Sequence, residues 1–174
     1  MVVIAAASGL AMFAIGRNET IVAEYAAYCA ASGCTSAAGA TPEVPITTVP
    51  VSAAEKYAAW LSAATGAKYR LPTEAEWRLA AGNAPDTKAN CLVTVNGQAI
   101  RGTALRPADV GDLNAQGLRH VVGNAQEWVS VGSGWKAMGG AIGDPIDVCT
   151  SSLARAHNGA PDGKTGFRLV REMR

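Results

Sequence analysis

Hydrophobic and polar positions change rhythm twice along the chain. Met1 to Ile15 is almost free of charge. Its β-branched Val2, Val3 and Ile4, followed by Gly9, predict a buried strand and turn, with a second strand-like run ending at Phe13–Gly16. No Lys or Arg precedes the run, and it stops at Gly16–Arg17, short of the roughly 18 to 20 apolar residues that span a bilayer, so it fits neither a signal peptide nor an anchor well. Any export signal is expected upstream. A helical period follows, with Thr20 as the expected cap and Ile21, Val22, Tyr25, Ala26, Tyr28 and Cys29 on adjoining faces, stopping at Ser32–Gly33. Cys34 to Pro50, interrupted by Pro42 and Pro45, reads as a surface excursion. Ser52 and Glu55 have capping-box spacing ahead of Tyr57, Trp60, Leu61 and Ala64, and Gly66 ends that second helix. Thr73 and Glu76 repeat the logic for a third helix running to Gly82.

After Asn83 the period disappears. Cys91 to Leu105 predicts a hairpin around Asn96–Gly97, and Val121–Val122, Glu127–Val129, Met138–Ile142 and Phe167–Val170 are candidate short strands between glycines. Helices early and short strands late describe an α+β fold.

The 174 residues, 49% of them hydrophobic, suit one domain over 1–174. Because much of that fraction is Ala, the core has to rest on Trp60, Trp77, Trp128, Trp135, Phe13, Phe167 and the branched aliphatics. Lys+Arg 15 against Asp+Glu 14 gives a formal charge of +1, without a basic block or acidic tail, which disfavours nucleic acid and anionic lipid as partners. Cys29, Cys34, Cys91 and Cys149 contain no CxxC pair, and the two histidines are isolated, so a structural zinc site is disfavoured. The cysteines are either two disulfides, with Cys29–Cys34 and Cys91–Cys149 preferred, or four reduced core thiols; sequence alone does not choose. If the disulfides form, the domain is expected outside the cytoplasm.

Arg70-Leu-Pro-Thr-Glu-Ala-Glu-Trp77 is the strongest motif. It resembles the RLPTEAEWE signature of the formylglycine-generating enzyme (sulfatase-modifying factor) family. Val122-Gly-Asn-Ala-Gln-Glu-Trp128 resembles the family's VGNVWEW segment, Met138-Gly-Gly-Ala141 its RGGSW segment and Thr165-Gly-Phe-Arg-Leu-Val170 its GFR strand. Upstream, Asn18–Tyr25 resembles its EVT helix start and Pro50–Leu61 its VSWxDAxAYxxWL helix. The resemblance implies a C-type-lectin-like α+β domain. In it Trp77, Trp128 and Phe167 fill the core, and Arg70, Glu74 and Glu76 serve in caps and ion pairs.

The activity associated with the family converts a sulfatase cysteine to formylglycine on a copper ion held by two cysteines beyond the GGSW segment. Aligned on Met138–Ala141, Asp144 stands where the first would be and Cys149 where the second would be. A carboxylate is a hard donor and a poor substitute for a thiolate on cuprous ion, so that reaction is not expected. Iron-dependent sulfoxide synthases in the family use three histidines; this chain has only His120 and His157. No GxSxG elbow supports a hydrolase triad. The family's calcium site maps onto Gly123, Ala125 and Glu127, with His120 in place of an upstream Asn, which leaves calcium as the one possible cofactor.

The resemblance therefore implies a catalytically empty binding or display module for a protein or small-molecule ligand. Such domains occur as variable proteins of diversity-generating retroelements and as extracytoplasmic portions of bacterial Ser/Thr kinases. Candidate contact residues are Arg119, His120, Ser133, Trp135, Lys136, Asp144, Ser151, Ser152, Arg155, His157 and Asn158. The alternative is a metal-dependent oxidase with an altered centre around Asp144, Cys149, Arg155 and His157.

Overall fold

The chain's first and last strands lie in one sheet. In the computed structural model, which describes residues 1–35, 41–83 and 86–173, β1 (Val2–Ile4) pairs antiparallel with β2 (Phe13–Ile15), and β2 pairs on its other side with β10 (Val170–Glu172). β10 then pairs with β3 (Tyr69–Arg70). The opening run is thus a pair of strands, β2 buried throughout and β1 burying Ile4 alone. β1 forms the sheet edge, and Val3 turns outward at 55% exposure.

The helices α1 (Val22–Ser32), α2 (Val51–Thr65) and α3 (Glu74–Ala81) form where the apolar period predicts. Only α3 starts as the sequence indicates. Thr73 Oγ1 accepts the Glu76 N–H at 3.2 Å, and Glu76 Oε2 accepts the Thr73 N–H at 2.8 Å. Both Glu76 oxygens also receive the Arg70 guanidinium at 2.7 Å. At α1 the expected Thr20 cap does not form. Thr20 is strapped down by its backbone, N–H to the Phe167 carbonyl and carbonyl to the Ile46 N–H, and Glu24 instead accepts the Ile21 N–H. At α2 the Ser52 box is likewise absent: the helix begins at Val51, whose N–H goes to the Gly159 carbonyl, while the Pro50 carbonyl takes Ala53 and Ala54. At α1 the Val44 and Pro42 carbonyls also take the Val22 and Ala23 N–H groups, so at both helices distant backbone satisfies first-turn donors that a hydroxyl cap would have served.

The expected hairpin is β4 (Val93–Val95) and β5 (Gln98–Arg101), turned by Asn96 and Gly97 at φ 50° and 77°, the left-handed pair of a type I′ turn. The second large sheet runs β8-β7-β6-β9, with β6 (Gln126–Val131), β7 (Gly134–Met138), β8 (Ala154–His157) and β9 (Thr165–Gly166), the last parallel to β6. Val121–Val122 forms no strand. β7 ends at Met138, and the chain leaves the sheet through Gly139 and Gly140, both at positive φ. A Cβ on Gly140 would lie 2.7 Å from the Cys149 sulfur, so only glycine lets the backbone pass.

Three apolar clusters fill the interior. One joins α1 and α2 to Trp128 and Phe167, a second sets Trp77 of α3 against Phe13, Ile15, Val129, Met138 and Val170, and a third surrounds Cys91 and Cys149. Each fully buried ring contributes about 2 to 3 kcal/mol by the area it removes from water. Trp60 and Trp135 pack only at the margin of the first cluster. Both disulfides are formed, Cys29–Cys34 and Cys91–Cys149. No helix among the described residues is long and apolar enough to cross a membrane.

Candidate functional site

Strand register decides which side chains meet. Trp128 is opposite Ala137, Ser130 opposite Trp135, Ala137 opposite Arg155 and Trp135 opposite His157. With the two-residue alternation of a strand, Gln126, Trp128, Ser130, Trp135, Arg155 and His157 share one face, while Glu127, Val129, Lys136 and Met138 share the other. The second face packs on α3. The first is covered by α2 over Trp128 and carries a polar chain beyond it.

That chain starts at Asp144. Its carboxylate receives Arg155 through both terminal nitrogens at 2.8 and 3.0 Å and accepts the Ala141 N–H at 2.9 Å. Partial burial opposes the charge, but Arg155 and the Ala141 amide hold the acid below the usual carboxylate range. Arg155 also donates to Gln126 Oε1 at 3.0 Å, and Gln126 Nε2 donates to Thr165 Oγ1 at 2.7 Å and Asp162 Oδ2 at 3.3 Å. Asp162 closes its own turn, accepting the Lys164 and Thr165 amides at 2.8 and 2.7 Å. Burial again works against the carboxylate, and these amides with Thr165 and His157 lower it.

His157 ends the chain. Its Nδ1 accepts from the Gly159 amide at 2.9 Å and from Trp128 Nε1 at 3.4 Å, which requires the tautomer protonated at Nε2. Nε2 then faces Asp162 Oδ2 at 3.3 Å and Thr165 Oγ1 at 3.4 Å. Thr165 is fully buried, so this Thr/His/Asp contact offers no accessible nucleophile. Its geometry fixes the loop from 158 to 164.

Cys149 lies beside this network without joining it. Its sulfur is bonded to Cys91, and that bridge sits in the fold against Ala89 and Val122. The two positions aligned with the family's copper ligands therefore hold a carboxylate paired with arginine and a sulfur held in a disulfide. Neither is a thiolate, and they do not fit a cuprous ion. Among the described residues no group of three His, Cys, Asp or Glu side chains is placed to hold a metal.

Glu127, which with Gly123 and Ala125 aligns with the family's calcium site, points into the interior. Its oxygens accept Arg168 Nε at 2.7 and 2.9 Å and Trp77 Nε1 at 2.7 Å. A cation at this carboxylate would have to displace the guanidinium. Arg168 also donates to the carbonyls of Gly16, Arg17 and Arg119. Beside it, Glu19 accepts Asn124 Nδ2 at 2.8 Å and the Ala125 amide at 3.0 Å. Complete burial, reinforced by the charge of Glu127 and opposed by Arg168, pushes the Glu19 carboxyl up to about 8.

The remaining expected contact residues divide. Asn158 is exposed on the loop next to His157, and Trp135 is half-buried on the same face. Lys136 lies on the opposite face, paired with Glu74 at 2.8 Å, and the Ser151 carbonyl faces Arg78 of the same helix. Ser133 is in the β6–β7 turn, and Ser152 bonds Thr150. Arg119 is held at the Gly111 carbonyl. His120, at φ 50°, lodges against the 107–111 segment, where burial and the nearby Arg168 lower its basicity. The structure thus unites Asp144, Arg155, His157, Asn158 and Trp135 and leaves Arg119, His120, Lys136 and Ser151 in other surroundings. It adds Gln126, Asp162 and Thr165, which sequence reasoning missed. Asp162-Gly163 had a local turn signature; Gln126 had none.

The family model described as sulfatase-modifying factor enzyme 1-like domain matches residues 7–173. Among solved structures, PvdO from Pseudomonas aeruginosa superposes with TM-score 0.77 at 24% identity, covering 94% of this chain and 81% of that one. CarF gives 0.77 at 24% identity, covering 95% and 88%. Treponema denticola variable protein 1 gives 0.74 at 19% identity, covering 94% and 85%. At these identities the likeness is one of fold. A search of curated proteins finds no match.

Proposed function

Since the chain belongs to the sulfatase-modifying factor enzyme 1-like family, we propose that it is a member that binds a protein or small-molecule ligand and does not carry out formylglycine formation. One observation carries this reading: Asp144 is ion-paired to Arg155 and Cys149 is bridged to Cys91 at the positions where the family's reaction requires two thiolates. What the face presents instead is a hydrogen-bonded polar frame under exposed loop residues, an arrangement suited to display.

The setting follows from the same features. Two disulfides suit an oxidising compartment outside the cytoplasm. The fold shared with a protein described as a variable protein supports the variable-protein role of a diversity-generating retroelement over the kinase-sensor role.

Metal analysis of the purified chain, combined with counting of alkylatable thiols, tests the proposal. Absence of stoichiometric copper or iron together with four unreactive cysteines is the expected result. A chain carrying stoichiometric copper or iron with a reduced Cys149 would return it to the metal-dependent oxidases.

A further inference from the structure

A groove of about 300 Å³ opens on the same sheet face, between α2 and β7. Glu55, Ala58 and Ala59 of α2 form one wall; Tyr69, Ser130 and Trp135 form the other. The helical spacing of Glu55, Ala58 and Ala59 places them on one stripe, and the two alanines leave the space open opposite the Trp135 indole.

Three observations characterise what the groove would accept. First, the indoles of Trp77 and Trp128 each donate to an acceptor, Glu127 and His157, whereas Trp135 Nε1 has no protein acceptor among the described residues. Second, Glu55 is exposed and stands outside every ion pair among the described residues. Third, the other charge lining the groove, Arg70, is already neutralised: Glu76 and Glu172 take its guanidinium at 2.7 and 2.9 Å, and Lys68 balances Glu172. The groove therefore combines aromatic rings with one uncompensated carboxylate. Aromatic faces attract cations through their quadrupole, and a carboxylate beside them adds a charge-assisted hydrogen bond.

We propose that this groove receives the basic side chain, lysine or arginine, of a protein ligand, with Trp135 and Tyr69 along its apolar stem and Glu55 at its charged head. The inference rests on the binding-module reading and names the chemistry of its partner. Ser130 Oγ, whose bond to the Pro72 carbonyl is long at 3.4 Å, is left as a further acceptor.

The experiment is a titration of the ¹⁵N-labelled chain with Nα-acetyl-arginine methylamide and its lysine counterpart, following the indole N–H signals. The Trp135 signal is identified by its loss in Trp135→Phe. Saturable movement of that signal is expected, weakened about fivefold or more by Glu55→Gln and by high salt, and abolished by Ala59→Leu, which fills the groove from an exposed helix position. The proposal is overturned if nothing saturates, if the neutral citrulline analogue or a methyl glycoside moves the signal equally, or if Glu55→Gln changes nothing. The metal and thiol assay is independent of this one, so a silent groove and a copper-loaded chain are separable failures.

Discussion

Arg168 and Glu127 face each other in complete burial, 0% and 1% exposed, with the guanidinium spanning both carboxylate oxygens and three backbone carbonyls closing its remaining donors. A pair so enclosed is costly to halve and cheaper to remove whole. Glu127→Gln or Glu127→Ala is expected to lose roughly 3 to 5 kcal/mol in urea unfolding. Replacing both partners by apolar residues of similar volume is expected to cost less than either single change. A double variant weaker than both would contradict this account.

Glu19 shares the cluster, and its burial, reinforced by the charge of Glu127, gives it a proton. In the fold Glu19 keeps it to about pH 8, while in the unfolded chain it is released near the ordinary value of 4.5. Between those values the folded state binds more protons, so this stabilisation is complete below 4.5 and declines as pH rises through about 8. Urea midpoints measured across the window should fall toward the alkaline side in the wild type. Glu19→Gln should flatten the slope.

The two disulfides should differ in both worth and access. Cys91–Cys149 closes a separation of 58 residues with both sulfurs buried, and chain entropy assigns it about 4 kcal/mol against about 2 for Cys29–Cys34, whose separation is 5. Cys34 is exposed. Under native conditions, graded reduction followed by alkylation and mass spectrometry should label Cys29 and Cys34 first. Cys91 and Cys149 should stay unlabelled until the domain unfolds.

At α3, Thr73→Ala removes one reciprocal bond of the cap and is expected to cost about 1 kcal/mol. Glu76→Ala removes the other together with the Arg70 pair, so thermal melting should show the larger loss for Glu76.

What could be read from sequence follows the range of the interaction. The α3 cap and the Asn96–Gly97 turn are made by residues at most three apart, and both form as the spacing indicates. The caps expected at Thr20 and Ser52 fail because Phe167, Ile46 and Gly159, distant in sequence, reach those helix ends first. The candidate face shows the same contrast. Asp144 could be named from alignment with a family motif, and Arg155 and His157 as polar residues of the C-terminal segment, but Gln126 enters through strand register, bonding residues 29, 36 and 39 positions away. Lys136 obeys the same rule: adjacent to Trp135 in sequence, it points to the other side of the sheet.

The loop from 158 to 164 is staked to the body at points that do not depend on its outward side chains. The Gly159 carbonyl is held by Val51, its amide by His157, and the amides of Lys164 and Thr165 by Asp162. The side chains of Ala160, Pro161 and Lys164 are exposed between those stakes and take no part in them. Such a stretch is expected to tolerate rewriting: a combinatorial library at these three positions would change the surface the loop exposes while the backbone that carries it stays in place.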